Sequence, residues 1–338
     1  MIKNTRLKRK ELISKIEDIR QARLIVYFTG DRPCVKLLKR NFLFTTVALD
    51  VLTILNTHLK KIGETDKIDL FLYTHGGALD APWPIVNLIR SYCKNFSVLI
   101  ASKALSAGTL IALGANEIVM SKLALLSPVD PSGHFMKPGV GLTPVSVEDV
   151  FGFIRLAKEE LEITKGGKVE EVLKLLVNDI PPSVLGSVNR TYAYIRDLTQ
   201  QLLALHMEPD KEKEKIERIV KYLTKELHSH DHLINRREAK EKIGLAVRNT
   251  ERTKNGENLN DLMSELLELY GKEMQLQESF NPYLFLDDKS EKTDFFKRAF
   301  IESAEYVHIF ESELRVYSTK EGIRVEEKKS GWELKEGD

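Results

Sequence analysis

Two junctions between a strand-like run and a helix carry the residue types that acyl-transfer chemistry requires. The first is YTHGG (73–77), in which adjacent glycines follow an apolar run. Residues without a Cβ can turn their backbone N–H groups outward without a clash. The second is ALSAGT (104–109), which places Ser106 at the start of a helix with small neighbours. A serine on such a sharp turn exposes its hydroxyl as a nucleophile, although serine in this position commonly only caps the helix.

The two junctions together favour a chemical role for Ser106 over helix capping. If they follow successive parallel strands, they place two backbone N–H donors beside one serine hydroxyl, as an acyl-transfer site requires. The N–H of Ala107 is one candidate donor, because it lies at the start of a helix, where an oxyanion is stabilised.

The segments around these junctions predict an α/β fold with a parallel sheet. Apolar runs of strand length alternate with segments of helical periodicity. The predicted strands are 24–28, 68–73, 96–101, 117–120 and 124–126, and the predicted helices are 45–61, 83–92 and 106–114. Apolar strands separated by helices of this length indicate parallel pairing through βαβ crossovers.

The remaining segments predict a helical insertion and a C-terminal tail. Residues 133–144 contain several prolines and glycines and predict a loop, and 147–227 predict helices that break at 166–167 and 181–182. A further helix is expected at 259–274, followed by strand-like segments near 306–317 and 323–334. We therefore expect a basic helical arm (1–22), a catalytic domain (23–247) with a helical insertion at about 147–227, and a tail (248–338) without an assigned role.

The arm is a basic amphipathic segment. Residues 1–23 contain eight Lys/Arg and three Asp/Glu, and apolar residues from Leu7 to Ile19 recur at helical spacing. Such a helix is expected to pack on its own protein or on a neighbouring subunit. A peripheral membrane contact is the less favoured alternative.

The composition excludes several classes of protein. The 51 Lys+Arg residues nearly balance the 50 Asp+Glu, so the chain lacks the basic excess expected of a nucleic-acid binder. Cys34 and Cys93 provide neither a disulfide framework nor a CxxC metal site. No apolar run reaches the ~20 residues of a membrane helix. We therefore expect a cytoplasmic protein.

The stretch from Ile68 to Pro131 resembles the ClpP/crotonase superfamily, and within it the serine dehydrogenase proteinase family, which is related to signal-peptide peptidase A. The matching segments are DLFLYTHGG (69–77), SAGTLIALGANEIVM (106–120), LLSPVDP (125–131) and, far downstream, LTKELHSHDHLINRREAKEKIGL (223–245). The resemblance implies a ClpP/crotonase-like spiral of ββα units with an internal α-helical insertion. His75 departs from the pattern, because such proteins usually have proline before the two glycines.

The resemblance also implies an activity, a serine endopeptidase that hydrolyses peptide bonds through an acyl-enzyme. Ser106 would be the nucleophile, Asp130 in the PVDP segment the acid and His230 in the SHD segment the base. The histidine would take the serine proton while the carboxylate fixes the imidazole tautomer. No cofactor is implied.

The oxyanion hole of this site is assigned, by the same resemblance, to backbone N–H groups of Gly76 or Gly77 and of Ala107. His134 is the second choice for the base, since it follows Ser106 by 28 residues, near where ClpP has its histidine. Asp231 is the second choice for the acid.

A Ser–Lys dyad, as in the related membrane peptidases, is another alternative and would use Lys103, Lys122 or Lys137. The alternating histidines His228, His230 and His232 share one face if they form a strand, a spacing that could also bind metal. No carboxylate or cysteine pattern accompanies them, so we expect no metal site.

Two other functions compete with a peptidase. A crotonase-type enzyme acting on an acyl-CoA thioester would use the same N–H donors to hold an enolate, without needing a nucleophilic Ser106. A catalytically inactive oligomeric scaffold would keep the fold alone. The resemblance implies a peptide or protein substrate and a homo-oligomer, and we expect no nucleic-acid partner.

Overall fold

The structure is a computed structural model that describes residues 2–35, 43–129, 132–137, 141–161, 163, 166–227, 229, 231–251, 253–254 and 256–335. Its chain divides into two compact units, Met1–Leu126 with Asn235–Asp338, and Ser127–Ile234. This division differs from the expected boundaries at 22 and 247, because the N-terminal helix and the C-terminal strands share a unit with the parallel strands. Within the described residues, no helix combines the length and apolar composition needed to cross a bilayer.

The described strands are short in the first half of the chain and long at its C-terminal end. They are β1 (Arg23–Thr29), β2 (Thr65–Tyr73), β3 (Cys93–Ile100), β4 (Glu117–Met120), β5 (Leu125–Leu126), β6 (Ser132–Lys137), β7 (Gly141–Ser146), β8 (Ile234–Asn235), β9 (Val247–Asn249), β10 (Thr253–Lys254), β11 (Glu257–Asn258), β12 (Glu291–Glu302), β13 (Val307–Thr319) and β14 (Gly322–Leu334).

The described α-helices are distributed over both units. They are α1 (Ile2–Arg20), α2 (Val51–Ile62), α3 (Pro82–Arg90), α4 (Ala107–Leu113), α5 (Val147–Arg155), α6 (Gly166–Asp179), α7 (Pro182–Ala204), α8 (Pro209–Lys221), α9 (Leu259–Glu273) and α10 (Pro282–Leu286). Within the described part of the chain, π-helical segments are found at Leu156–Glu160, Tyr222–Glu226 and Glu238–Ile243.

An eight-stranded mixed sheet forms the centre of the first unit, in the order β14-β13-β12-β1-β2-β3-β4-β9. The strands β1, β2, β3, β4 and β9 run parallel. β12 pairs antiparallel with β1 and continues into an antiparallel meander with β13 and β14. The predicted α/β class and its parallel core are confirmed, and the tail adds three antiparallel strands to the same sheet.

The predicted helix over residues 45–61 is wrong at its start, because α2 begins only at Val51. The residues before α2 instead lie along the glycine turn. The Val47 N–H donates to the Gly76 carbonyl at 2.8 Å, and the Ala78 N–H donates to the Val47 carbonyl at 2.9 Å. These long-range hydrogen bonds override the local helical periodicity, which is a weak determinant by comparison.

The predicted loop over residues 133–144 is also wrong, because β6 and β7 form an antiparallel pair there. Gly133 lies opposite Val145, and His134 lies opposite Pro144. Proline is compatible with this position because both members of a two-stranded ribbon are edge strands, so a missing N–H need not break a ladder.

The second unit contains the predicted helical insertion. α6 begins at Gly166, and Pro181 immediately precedes α7, so the helices break where the paired glycines and prolines predicted. Val150, Leu176 and Val188 are buried together at the centre of this unit. The insertion therefore has a small apolar core of its own.

In the first unit, α1 and α9 cover one face of the sheet. The apolar side of α1, which includes Leu12, Ile13, Ile16 and Ile19, is buried together with residues of α9 and of the strands. The basic N-terminal segment therefore packs its apolar side on its own protein, which is one of the two placements expected from the sequence.

Arg9 joins α1 to α9 and β12 through a buried ion-pair network. Its Nε donates to Glu302 Oε2 at 2.7 Å, and both side chains are 2% exposed. Arg9 also pairs with Glu273, which in turn pairs with Lys297. The Tyr270 hydroxyl donates to Glu302 at 2.8 Å. Burial raises the pKa of the Glu302 carboxyl, and the adjacent Arg9 and Tyr270 oppose that increase.

Replacing Arg9 with methionine is expected to lower the free energy of unfolding by about 3–5 kcal/mol, because Glu302 is then buried without its counter-ion. The neighbouring Lys8 pairs with Glu265 at 2.5 Å, but half of the Lys8 side chain is exposed. Lys8→Met is the matched control and should leave the urea midpoint nearly unchanged, since exposed pairs contribute little. Equal shifts in the two variants would contradict this account of α1.

His58 on α2 lies in a second buried polar cluster. It is fully buried, with Nδ1 2.9 Å from Ser303 Oγ and Nε2 2.9 Å from His308 Nδ1. Burial lowers the pKa of His58 to about 3, and burial also lowers the pKa of His308. The fold therefore holds His58 as a neutral imidazole.

His58 should make the stability of the protein depend on pH. The unfolded imidazole has a pKa near 6.5, so acid favours the unfolded state until the folded imidazole itself protonates near 3. We expect the free energy of unfolding to fall as the pH falls from about 6.5 to about 3, with His58 contributing up to about 1.4 kcal/mol per pH unit. In urea titrations at several pH values, His58→Gln should show a shallower slope, and an unchanged slope would refute this role.

Candidate active site

The exits of β2 and β3 lie side by side at the carboxyl edge of the parallel sheet. The Thr74 N–H donates to the Lys103 carbonyl at 3.1 Å, and the Leu105 N–H donates to the Thr74 carbonyl at 3.0 Å. Since these bonds continue the pairing of β2 with β3, they bring the YTHGG and ALSAGT segments together. Ligand sites in α/β sheets form at this edge.

Ser106 has a strained backbone at the tip of the second segment. Its φ is 50° and its ψ is −111°, a combination that side-chain-bearing residues rarely adopt. The residue is half-buried, and α4 begins at the next residue, Ala107. In the described helix, the Ser106 side chain makes no capping hydrogen bond. Capping therefore does not explain the serine, and strain of this kind is concentrated at functional sites.

Gly76 packs directly against Ser106. A Cβ built on Gly76 would lie 2.7 Å from Ser106 Cβ and 2.9 Å from the Leu105 carbonyl oxygen, and the Gly76 φ of 107° is itself unfavourable for other residues. A Cβ on the next residue, Gly77, would overlap the Val47 carbonyl. Both glycines are therefore required by close backbone approaches, from opposite sides of the turn.

Two backbone N–H groups beside Ser106 are candidate donors to a ligand. The Gly76 N–H already donates to Thr74 Oγ1 at 3.0 Å. The Gly77 N–H, by contrast, has no acceptor within the part of the chain that the structure describes. Ala107 is the first residue of α4, and the first N–H groups of a helix have no partner within it. The arrangement can therefore present donors to an anionic oxygen near the serine.

The candidates for the acid and base belong to the second unit or lie outside the described residues. Asp130 and His230, which the sequence resemblance implies, lie outside them. His134 lies on β6, and Asp231 is an exposed turn residue whose N–H donates to Ser229 Oγ at 3.2 Å. The structure thus brings together Ser106, the two glycines and Ala107, and the relation of the other candidates to them stays a prediction.

The lysines proposed for a dyad have different surroundings. Lys122 is exposed, and Lys137 ends β6. Lys103 Nζ lies 2.5 Å from Asp31 Oδ2 and 2.7 Å from His75 Nε2. Since Lys103 is engaged in this ion pair, its contacts do not support a role as the base for Ser106.

Asp31 is a polar residue of this region that the sequence analysis did not single out. Its carboxylate contacts His75 Nε2 at 2.5 Å, Lys103 Nζ at 2.5 Å and the Tyr73 hydroxyl at 3.0 Å. Although burial raises the pKa of Asp31, the hydrogen bonds from His75 and Lys103 outweigh it and bring the value to about 2. No motif surrounds Asp31, and the available signal was only its place just after a strand of the parallel sheet.

No metal-binding cluster of three or more His, Cys, Asp or Glu side chains occurs within the described residues. Two of the three alternating histidines, His228 and His230, are not among those residues.

Two curated relatives are similar to the chain, and both are uncharacterized proteins of Methanocaldococcus jannaschii. MJ0137 is 28% identical over 205 residues, which cover 60% of this chain and 58% of that protein. MJ1495 is 29% identical over 227 residues, which cover 67% of this chain and 65% of that protein. The chain thus spans less than two thirds of the length of either relative.

Among solved structures, the chain has distant likenesses to two proteins. A variant of the 1510-N membrane-bound stomatin-specific protease matches at 18% identity and a TM-score of 0.35, over 67% of this chain and 80% of that one. ClpP1 from Listeria monocytogenes matches at 14% identity and a TM-score of 0.36, over 72% and 97% of the two chains.

The family comparison covers the N-terminal part of the chain. The matched region is residues 1–141, and it contains β1 to β4, both glycine-containing strand exits and Ser106. Over these residues the chain matches the ClpP-like SDH-type serine proteinase family, which confirms the resemblance predicted from the sequence.

Proposed function

We propose that this protein is a serine peptidase in which Ser106 attacks the carbonyl carbon of a peptide bond. The observation that carries the proposal is the strained Ser106 backbone, held closely against Gly76 at the start of α4. A strained serine on a strand-to-helix turn is the geometry of an exposed nucleophile. The match of residues 1–141 to a serine proteinase family supports the same activity.

The oxyanion hole in this proposal consists of the Gly77 and Ala107 N–H groups. As the Ser106 Oγ–carbon bond forms, the carbonyl oxygen becomes an oxyanion, and preorganised N–H donors stabilise that charge. Gly76 shapes the turn instead, because its own N–H is held by Thr74 Oγ1 and its missing Cβ makes room for Ser106.

For proton transfer we propose His230 as the base and Asp130 as the residue that orients it, on the strength of the family resemblance. The histidine accepts the Ser106 hydroxyl proton and later donates it to the leaving amine as the C–N bond breaks. Water then attacks the acyl-enzyme and restores the serine. His134 and Asp231 are the alternatives in these two roles, with Lys103 disfavoured by its ion pair to Asp31.

The substrate in this proposal is a peptide or a protein, and the working form is an assembly of several copies of the chain. Both statements rest on the family resemblance. A crotonase-type enzyme remains the competing chemistry, because paired N–H donors can also hold an enolate, but it gives no reason for a strained serine beside those donors.

A fluorophosphonate probe should label the native protein covalently at Ser106, and Ser106→Ala should abolish that labelling. Ser121→Ala is the matched control, because Ser121 follows the neighbouring strand β4 directly but is buried with its hydroxyl bonded to the Ala101 carbonyl at 2.6 Å. This control should be labelled at the native rate, with the modified residue located by peptide mass spectrometry. Undiminished labelling of Ser106→Ala would overturn the nucleophile, and turnover of an acyl-CoA by Ser106→Ala would favour the crotonase chemistry.

The identity of the base is tested by comparing two histidines. His230→Ala should slow fluorophosphonate labelling of Ser106 by roughly 10²- to 10⁴-fold, the usual contribution of a general base. His134→Ala should label at the native rate. Circular dichroism would verify that both variants are folded. The reverse result, with loss only in His134→Ala, would transfer the role of base to His134.

A further inference from the structure

A single carboxylate, that of Asp31, connects the loop after β1 to the exits of β2 and β3. It accepts hydrogen bonds from the Tyr73 hydroxyl at 3.0 Å and from Lys103 Nζ at 2.5 Å, and it lies 2.5 Å from His75 Nε2. Lys103 Nζ also lies 5.0 Å from the centre of the Tyr73 ring. We refer to these four residues, Asp31, Tyr73, His75 and Lys103, as the Asp31 cluster.

The Asp31 cluster lies on the opposite side of β2 from Ser106. Tyr73 stacks on Phe28 with 4.1 Å between ring centres, in the apolar core formed with α1 and α9. The next side chain, Thr74, points instead towards α4, since a Cβ on Gly108 would lie 2.5 Å from Thr74 Cγ2. Because side chains alternate along a strand, His75 returns to the Tyr73 side. The cluster therefore contacts residues that flank the glycine turn, and it lies on the side of β2 away from Ser106.

We propose that Asp31 is a positioning residue that holds the two halves of the proposed oxyanion hole in register. His75 is bonded directly to the Gly76-Gly77 turn, and Lys103 precedes Ser106 by three residues on the other segment. Both side chains are attached to the same carboxylate. This inference rests on the proposed function, since it assigns Asp31 a role in placing the Gly77 and Ala107 donors.

The negative charge of Asp31 is what makes the attachment effective. His75 Nε2 and Lys103 Nζ lie only 2.7 Å apart. The carboxylate between them compensates the lysine ammonium, and hydrogen bonds to an ionised group are about twice as strong as neutral ones. Without that charge, nothing in the cluster balances the ammonium beside the imidazole, so we expect His75 and the glycine turn attached to it to shift.

Small shifts of the turn matter because the oxyanion hole depends on distance. Donors stabilise the oxyanion only when they lie about 2.7–3.1 Å from it, and the loss of one donor typically slows the reaction by roughly 10²- to 10³-fold. A displaced Gly77 N–H should therefore lower the rate of acylation without affecting how tightly a ligand first binds.

The first test compares Asp31→Asn with Asp69→Asn. Asp69 is a buried carboxylate on β2, the strand that leads to Tyr73 and His75, and it pairs with Arg20 at 2.7 Å, so its loss controls for removing a buried charge. For labelling of Ser106 by a fluorophosphonate, Asp31→Asn should lower the limiting rate by roughly 10²-fold at an unchanged half-saturating concentration. Asp69→Asn should label at the native rate per folded molecule. Equal slowing in both variants would overturn the proposal.

The second test compares a conservative and a non-conservative substitution of Lys103, the ion-pair partner of Asp31. Lys103→Arg keeps a cation for Asp31 and should keep labelling within a few-fold of the native rate, whereas Lys103→Met should slow it as Asp31→Asn does. A cluster that only fills space would tolerate Lys103→Met at least as well as Lys103→Arg, and that result would reject the role of the ion pair.

Amide hydrogen exchange makes the test independent of activity. Asp31→Asn should accelerate exchange in peptides covering 74–78 and 103–108, whereas Asp69→Asn should not. If the native protein is not labelled at Ser106, the proposed function fails, and the exchange data still decide whether Asp31 holds the two segments. Unchanged exchange in Asp31→Asn would refute the positioning role even if native labelling occurs.

Discussion

The exits of two parallel strands approach each other more closely than any side chain at position 76 would allow, and this contact is the constraint on which the site depends. A Cβ at position 76 would collide with Ser106, and a Cβ at position 77 would collide with the backbone of Val47. The turn is thus enclosed between the serine on one side and the segment before α2 on the other. Parallel pairing makes this possible, because it delivers both strand exits to one edge of the sheet. This close contact holds the candidate donors beside Ser106 and its strained backbone.

The sequence predicted those parts of the fold whose signal is local. The strands β1 to β4 appear as nearly continuous apolar runs because a parallel sheet is covered on both faces. The spacing of Gly76, Gly77 and Ser106 likewise predicted that they meet. It did not reveal that Val47 pairs with the glycine turn, nor that β12 pairs with β1, because both depend on partners distant in the chain. Asp31 was missed for the same reason, since its importance comes from three side chains that converge on it.

Sequence patterns also failed to predict which charged residues of the N-terminal helix are buried. The basic N-terminal segment has the composition of a solvated helix, yet Arg9 and Arg20 point into the protein. Arg20 donates to the buried Asp69 at 2.7 Å and to Glu117 at 2.7 Å. Together the two arginines fix α1 at two points, to α9 and β12 near its middle and to β2 and β4 at its C-terminal end. Apolar periodicity identified the buried face of α1, but it does not reveal charges that are buried with partners.

The pairing of β1 with β12 cannot form until the C-terminal part of the chain has been synthesised. These strands pair in the finished sheet, although about 260 residues separate the end of β1 from the start of β12. While the chain grows, β1 pairs with β2 on one side only, and its other side is an open row of backbone donors and acceptors. Open edges of this kind recruit other strands. Until the ribosome has released the C-terminal residues, the nascent protein therefore carries its central strand as an exposed edge, and a truncated chain would keep it so.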